Sequence, residues 1–145
     1  MKTMKSKMRP RDCPCHSGAR YNACCEPFHT AVAQAPTPEA LMRSRYAAFA
    51  LGLGDYLVET LAADHPDRAL PREALAREFS RLREKQRFLG LEIRETSESG
   101  ERGEVLFHAR IFERGQDRSF TERSQFVKED GAWRYASADV EPRGA

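Results

Sequence analysis

All four cysteines of this chain fall within thirteen residues, at Cys13, Cys15, Cys24 and Cys25. A disulfide framework spreads its cysteines, because the stabilisation from each bridge grows with the loop it closes. Crowding into one short segment points first to a metal and second to redox chemistry. From Cys13 to His29 the pattern is C-x-C-x8-C-C-x3-H. A C-x-C pair lets two thiolates converge from one tight turn, and Ser17-Gly18 just beyond can bend the chain back. Ala19 to Cys25 is long enough for a helical turn or a short hairpin that returns Cys24 to the first pair. Zinc takes four soft or borderline ligands in a tetrahedron. Cys13, Cys15 and Cys24 supply three, and the fourth is Cys25, His29 or His16. Four protein ligands leave no open position for water, so such a zinc is structural. Structural zinc contributes about 10–16 kcal/mol in small peptides, enough to order a segment with almost no apolar core. Arg9, Arg11 and Arg20 are placed to offset the negative charge of the thiolates.

The arrangement resembles the SEC-C motif, the zinc-binding tail of the SecA translocation ATPase. That pattern runs C-x-C-x-S-G, then eight residues or so, then C-C or C-H. Ser17 and Gly18 fall on its S-G pair. The resemblance implies Cys13, Cys15, Cys24 and Cys25 as the ligands, with His29 the alternative for the fourth. His16 stands where the motif usually has Gly, and a side chain there disfavours a positive φ or adds a nearby competing ligand.

A chain of 145 residues, 40% hydrophobic, buries one ordinary core. The charged fraction of 32% with a net charge of only +2 describes a well-solvated surface and not a polyelectrolyte partner for DNA. No apolar run approaches the ~20 residues of a bilayer helix. Residues 1–11 carry Lys2, Lys5, Lys7, Arg9 and Arg11 without an acid, but no apolar stretch of a signal peptide follows, so a cytoplasmic, reducing location is expected. This basic tail is expected to be disordered, or else an electrostatic handle for RNA, ribosome or anionic lipid.

Three segments follow the tail: the zinc-binding segment at 12–30, an Ala- and Pro-rich linker at 31–36, and a domain at 37–140 that begins with helices and ends in strands. Thr37 as N-cap, Pro38 and Glu39 start a helix whose stripe is Leu41, Met42, Tyr46, Phe49 and Leu53. Gly52 and Gly54 stop it, and Asp55 is expected to cap a second helix reaching about Leu61. Residues 72–83 repeat the helical period through Leu75, Phe79 and Leu82. After Arg87 the period becomes two, giving strands at Leu89–Ile93, at Val105–Phe112 with apolar residues on both faces, at Ser119–Lys128 and at Trp133–Ala138. Helices followed by an antiparallel meander make an α+β fold: a zinc knob, then a cone of about three helices packed on a curved antiparallel sheet.

This order resembles the nuclear transport factor two-like (NTF2-like) fold. At full length the chain resembles the YchJ family of bacterial proteins, through CPC-x-SG, CC-x-P-F, LMRSRYAAF at Leu41 to Phe49, DYLVET at Asp55 to Thr60, His65-Pro66, FLGLEI at Phe88 to Ile93 and ERSQFVKEDGAWRY at Glu122 to Tyr135. The family brings no established activity.

Enzymes on such cones place an acid or a His–Asp pair inside, where burial adjusts its pKa. The residues to watch are Arg43, Arg45, Tyr46, His65, Glu122 and Trp133. Glu122 shares a strand face with Phe120 and Phe126, and a carboxylate there needs a partner, for which Arg43 or Arg45 is the natural choice. An Arg–Glu pair locking helix to sheet is the plain expectation, a ligand anchor the sharper one. His108 is expected as a satisfied or partly exposed core histidine, and Trp133 and Tyr135 as packing for the cone. The leading functional expectation is a cytoplasmic binding or adaptor protein that uses a structural zinc knob toward a protein partner, with the question of an enzyme left open and leaning no. The alternatives are a small-molecule-binding protein or enzyme using the cone, and nucleic-acid or ribosome contact through the basic arm. A homodimer through the convex sheet face is a further expectation.

Overall fold

The structure is a computed structural model in which residues 11–140 are described; residues 1–10 of the basic tail lie outside them. Helix α1 (Glu26–His29) follows a 3-10 turn at Tyr21–Ala23, and helix α2 (Pro38–Leu51) opens the larger unit. The Thr37 hydroxyl accepts from the Ala40 amide at 3.0 Å, so the expected N-cap forms. Gly52, at φ 74°, ends α2 in the left-handed conformation that a side chain resists, and the Leu53 amide closes back on the Ala48 carbonyl.

Helix α3 (Gly54–Glu59) starts one residue before the expected cap at Asp55. The reason is tertiary. Gly54 lies against the backbone of Ala76 in α4 (Arg72–Lys85), where a Cβ would collide with the Ala76 carbonyl, and its amide donates to Ser80 Oγ at 2.9 Å. Leu61 of the following segment bridges in parallel to Tyr135, with Tyr135 N donating to Thr60 O and Ala62 N to Tyr135 O, both at 2.8 Å. This seam fixes Tyr135 against the helices.

Strands β1 (Gln86–Ser99), β2 (Arg102–Glu113), β4 (Phe120–Glu129) and β5 (Ala132–Val140) form an antiparallel sheet in the order β1-β2-β4-β5, with the two-residue β3 (Gln116–Asp117) beside β2. Register shifts at Phe88/Gly90, Ile93/Glu95 and Gln125/Phe126 bend it. Strand β2 differs from the expectation of two apolar faces. Val105, Phe107, Ala109 and Ile111 are buried, while Leu106 and His108 are half-buried on the other face, where His108 Nδ1 bonds the Thr121 hydroxyl at 2.9 Å. Leu41, Met42 and Tyr46 of α2 pack on the buried face of β2 together with Phe126 and Trp133. A smaller cluster of Val58, Leu61, Leu75 and Ala76 joins α3 to α4. The arrangement is an NTF2-like cone of helices on a curved antiparallel sheet, with a cysteine knob at its N-terminal end.

Candidate functional site

The knob is shaped by its backbone. Asp12 pairs with Arg20 in an antiparallel bridge, the Cys13 amide donates to Ala19 O at 2.9 Å, and the His16 amide to Cys13 O at 3.1 Å. His16 and Gly18 hold positive φ, 64° and 92°, which closes the turn after the C-x-C pair. The 3-10 turn then delivers Cys24 and Cys25, the latter as the residue capping α1. The four sulfurs lie within 4.8 Å of one another, with Cys15–Cys24 at 3.6 Å and Cys24–Cys25 at 3.9 Å. A tetrahedral zinc with bonds of about 2.3 Å has sulfur–sulfur edges of about 3.8 Å, so the donor set fits that ion. Cys13, Cys15 and Cys25 are buried, and Cys24 is half-buried with Ser17 Oγ at 3.2 Å from its sulfur.

Crowding makes these thiols unequal. Hydrogen bonds from Cys13 and then Cys25 push the Cys15 thiol far down, against desolvation. The bond to Cys15 pushes Cys13 up to about 12, and the bonds to Cys13 and Cys15 push Cys25 up as well. A divalent cation held by these four sulfurs would remove this competition by letting every one of them be a thiolate.

Neither histidine reaches the cluster. His29 Nε2 donates to Ser44 O of α2 at 2.8 Å, which leaves Nδ1 to accept from Tyr21 Oη at 2.7 Å. Burial lowers its pKa, so the ring is neutral. His16 Nε2 lies 3.3 Å from Phe88 O on β1, and its ring meets Tyr46 edge-on at 6.0 Å. Arg43, expected near the cone's mouth, turns to the knob instead, donating to Glu39 at 3.2 Å and to Cys15 O at 3.3 Å. It therefore does not face Glu122.

A cavity of about 580 Å³ opens between α2, α4 and the sheet, and Arg45, Tyr46, His65 and Glu122 all line it. Trp133 does not. It is buried against Gly103, beneath Lys128, with an indole N–H that finds no acceptor among the described residues. The expected Arg45–Glu122 ion pair is also not formed. Arg45 Nη1 donates to Leu57 O at 2.8 Å and Thr60 Oγ1 at 2.6 Å, and its guanidinium lies 4.7 Å from the centre of the Tyr135 ring. Glu122 Oε2 accepts from Ser124 Oγ at 2.7 Å and Tyr135 Oη at 3.4 Å. Tyr135 thus stands between the two charges. Burial holds Arg45 down at about 10, still protonated at neutral pH, and raises Tyr135, which stays a phenol.

Sequence reasoning missed Ser124, Thr60 and the central place of Tyr135. Period-two alternation from Phe120 through Glu122 would have placed Ser124 on the same face. Nothing local announces Thr60, whose role comes from the seam between α3 and β5.

A cone of this topology with four clustered cysteines ahead of it defines an NTF2-like protein with an N-terminal SEC-C-type segment. The family model described as "YchJ, middle NTF2-like domain" matches residues 37–138. A UPF0225 protein of Deinococcus radiodurans is 45% identical over 129 residues, covering 88% of each chain. The UPF0225 protein YchJ of Shigella dysenteriae is 39% identical over 125 residues, covering 85% of this chain and 79% of the relative. The solution structure of a SEC-C motif containing protein from Rhodopseudomonas palustris superposes with a TM-score of 0.78 at 40% identity, covering 90% of this chain and 98% of that one. The chain belongs to the YchJ family, UPF0225.

Proposed function

We propose that this is a zinc-stabilised small-molecule-binding protein, in which Cys13, Cys15, Cys24 and Cys25 hold a structural zinc and the cone holds the ligand. The observation that carries the reading is the cavity of about 580 Å³, within the range of small-molecule sites, with an aromatic lining and a few convergent polar groups. The knob's place beside it supports a structural role for the metal. The inner side of the knob is committed to the body through His29 to Ser44 O, His16 to Phe88 O and Arg43 to Cys15 O. A closed four-thiolate site offers no position for substrate water.

The adaptor role expected from the SEC-C resemblance would have to use the knob's outer turn, where Ser17, Gly18, Arg20 and Asn22 are exposed. That turn is ordinary polar surface, and the cone is the better-formed site. Thermal-shift screening of the zinc-loaded chain against apolar acids, amides and alcohols tests the reading. A rise in melting temperature that Leu82→Trp abolishes by filling the cavity is expected. No rise with any class removes the cone as a binding site. Metal analysis of protein purified without chelator is expected to give one zinc per chain, and metal-free protein with four reactive thiols would overturn the zinc assignment.

A further inference from the structure

The polar groups of the cone are not balanced against one another. Arg45 is only 6% exposed, yet no carboxylate among the described residues pairs with it, and Nη1 alone makes its hydrogen bonds, to Leu57 O and Thr60 Oγ1. Nε and Nη2 have no acceptor among the described residues, and Arg45 lines the cavity. A buried guanidinium that keeps its charge and lacks an anion calls for one, because charge in a low-dielectric site is costly unless paired. Planar N–H donors with a fixed direction suit a carboxylate in particular.

His65 stands on the same wall. Its ring lies 5.7 Å from Tyr135, and its Nδ1 accepts from the Asp67 amide at 3.0 Å. A neutral imidazole whose Nδ1 accepts must carry its proton on Nε2, and that N–H has no protein acceptor among the described residues. Glu122 sits elsewhere, at the hydroxyl end of Tyr135, where the Ser124 and Tyr135 hydroxyls already hold one of its oxygens. It would repel an anion placed beside it, and its second oxygen suits a donor. Asp67, half-buried, and Gln86 and the exposed Arg118 also line the cavity, and the rest of the lining is apolar and largely aromatic, including Phe49, Phe79, Phe88, Phe107 and Phe120.

We propose that the cone's ligand is a small apolar carboxylate, its ring or branched body among the phenylalanines and its carboxylate held by Arg45 and the Nε2–H of His65. This rests on the cone being the binding site, and adds the charge and orientation of what enters. The carboxylate takes the donors that the protein leaves open, and Tyr135 separates it from Glu122. A hydroxyl or amine at the far end of the ligand would reach Glu122.

The test compares 2-naphthoate with 2-naphthamide on the zinc-loaded full chain, by calorimetric or fluorescence titration. The two probes share shape and differ in charge, so wild-type protein answers without a folding question. The acid is expected to bind at least tenfold tighter, and Arg45→Gln to reduce that preference to about threefold or less. His65→Ala, on an irregular segment, is expected to lose about threefold for the acid and nothing for the amide. The Arg45 Nε–H resonance in wild-type protein gives a readout independent of substitution. It should shift with the acid and stay with the amide, and it decides the matter if Arg45→Gln does not fold. Equal binding of acid and amide, with an unmoved Arg45 signal, overturns the carboxylate while leaving the cone as a binding site. Failure of both probes, together with no thermal shift from any class, overturns both.

Discussion

The knob and the cone solve the same problem, charge out of water, in opposite ways. In the knob, four sulfurs converge from one short segment until their distances match a single ion, and both neighbouring histidines are committed elsewhere. In the cone, Arg45, His65 and Glu122 come from α2, an irregular segment and β4, and all three line a shared cavity. A closed set of donors suits a permanent ion; an open set suits an exchangeable ligand. The comparison predicts that the regions will fail differently when disturbed.

The largest effect is expected from the metal. Stripping the proposed zinc, or Cys15→Ser, should unfold residues 12–30, because that segment has little apolar core beyond Cys13, Cys15, Cys25 and the facing Ala47. Zinc contributes about 10–16 kcal/mol in isolated peptides, so the loss should be several kcal/mol here. Limited proteolysis should cut before residue 37 while β2 and β4 amides keep their protection from exchange. Melting of the cone together with the knob would make the two a single cooperative unit and break the comparison.

Next comes a substitution that should injure the cone and spare the knob. At Gly54 an added Cβ meets the backbone carbonyl of Ala76, which cannot step aside as a flexible side chain would. Gly54→Ala should cost about 3 kcal/mol as α3 and α4 are pushed apart. Zinc content should stay at its wild-type value. Loss of zinc in this variant would show the centre to be supported from the helix pair.

The cysteine cluster and the order of elements were legible because both are local. Spacing alone brings sulfurs together, and apolar periodicity marks helices and strands wherever one face is buried. Partner choice was not legible. Arg43 and Arg45 are two residues apart on α2 and so point in different directions, one to the Cys15 carbonyl and the other into the cone. Leu41, Met42 and Phe49 at i−4, i−3 and i+4 put Arg45 on the buried stripe, a signal present in the sequence. Trp133 packs the cone's core as expected but does not reach the cavity, since its seat against Gly103 depends on how the end of the sheet is closed. The partners that engage His29, Ser44 and Tyr21, were not legible either, because no spacing rule gives their positions.

His29 provides a smaller test of the same division. His29→Ala should keep zinc and lose about 2 kcal/mol, from two partly buried hydrogen bonds and the space left behind. Loss of zinc instead would make His29 a ligand. Its folded pKa lies below the unfolded value of about 6.5, so the unfolded chain binds the extra proton as pH falls. Its contribution to stability is therefore present above about pH 6.5 and declines below it. Urea melts at pH 7.5 and 5.5 should show a larger acid loss in wild type than in His29→Ala, provided zinc occupancy is matched between the samples.

The smallest effect on stability, and the most telling for how the regions communicate, is expected at His16. Its positive φ of 64° costs a non-glycine residue about 1 kcal/mol or more, which His16→Gly would relieve. Against that stand the lost bond to Phe88 O, long at 3.3 Å, and glycine's greater freedom in the unfolded chain, about 0.5–1 kcal/mol. The terms nearly cancel, so the melting temperature should barely move. The wall of the cone should nevertheless loosen. His16 touches Tyr46, whose hydroxyl donates to Gly90 O at 2.8 Å and accepts from Gly90 N at 3.2 Å, and Tyr46 and Phe88 both line the cavity. Faster exchange at the Gly90 amide and weaker binding of a cone ligand, at unchanged zinc content, would make His16 the link between the cysteine knob and the cone's cavity. Unchanged exchange and binding would leave knob and cone as neighbours that share a chain and little else.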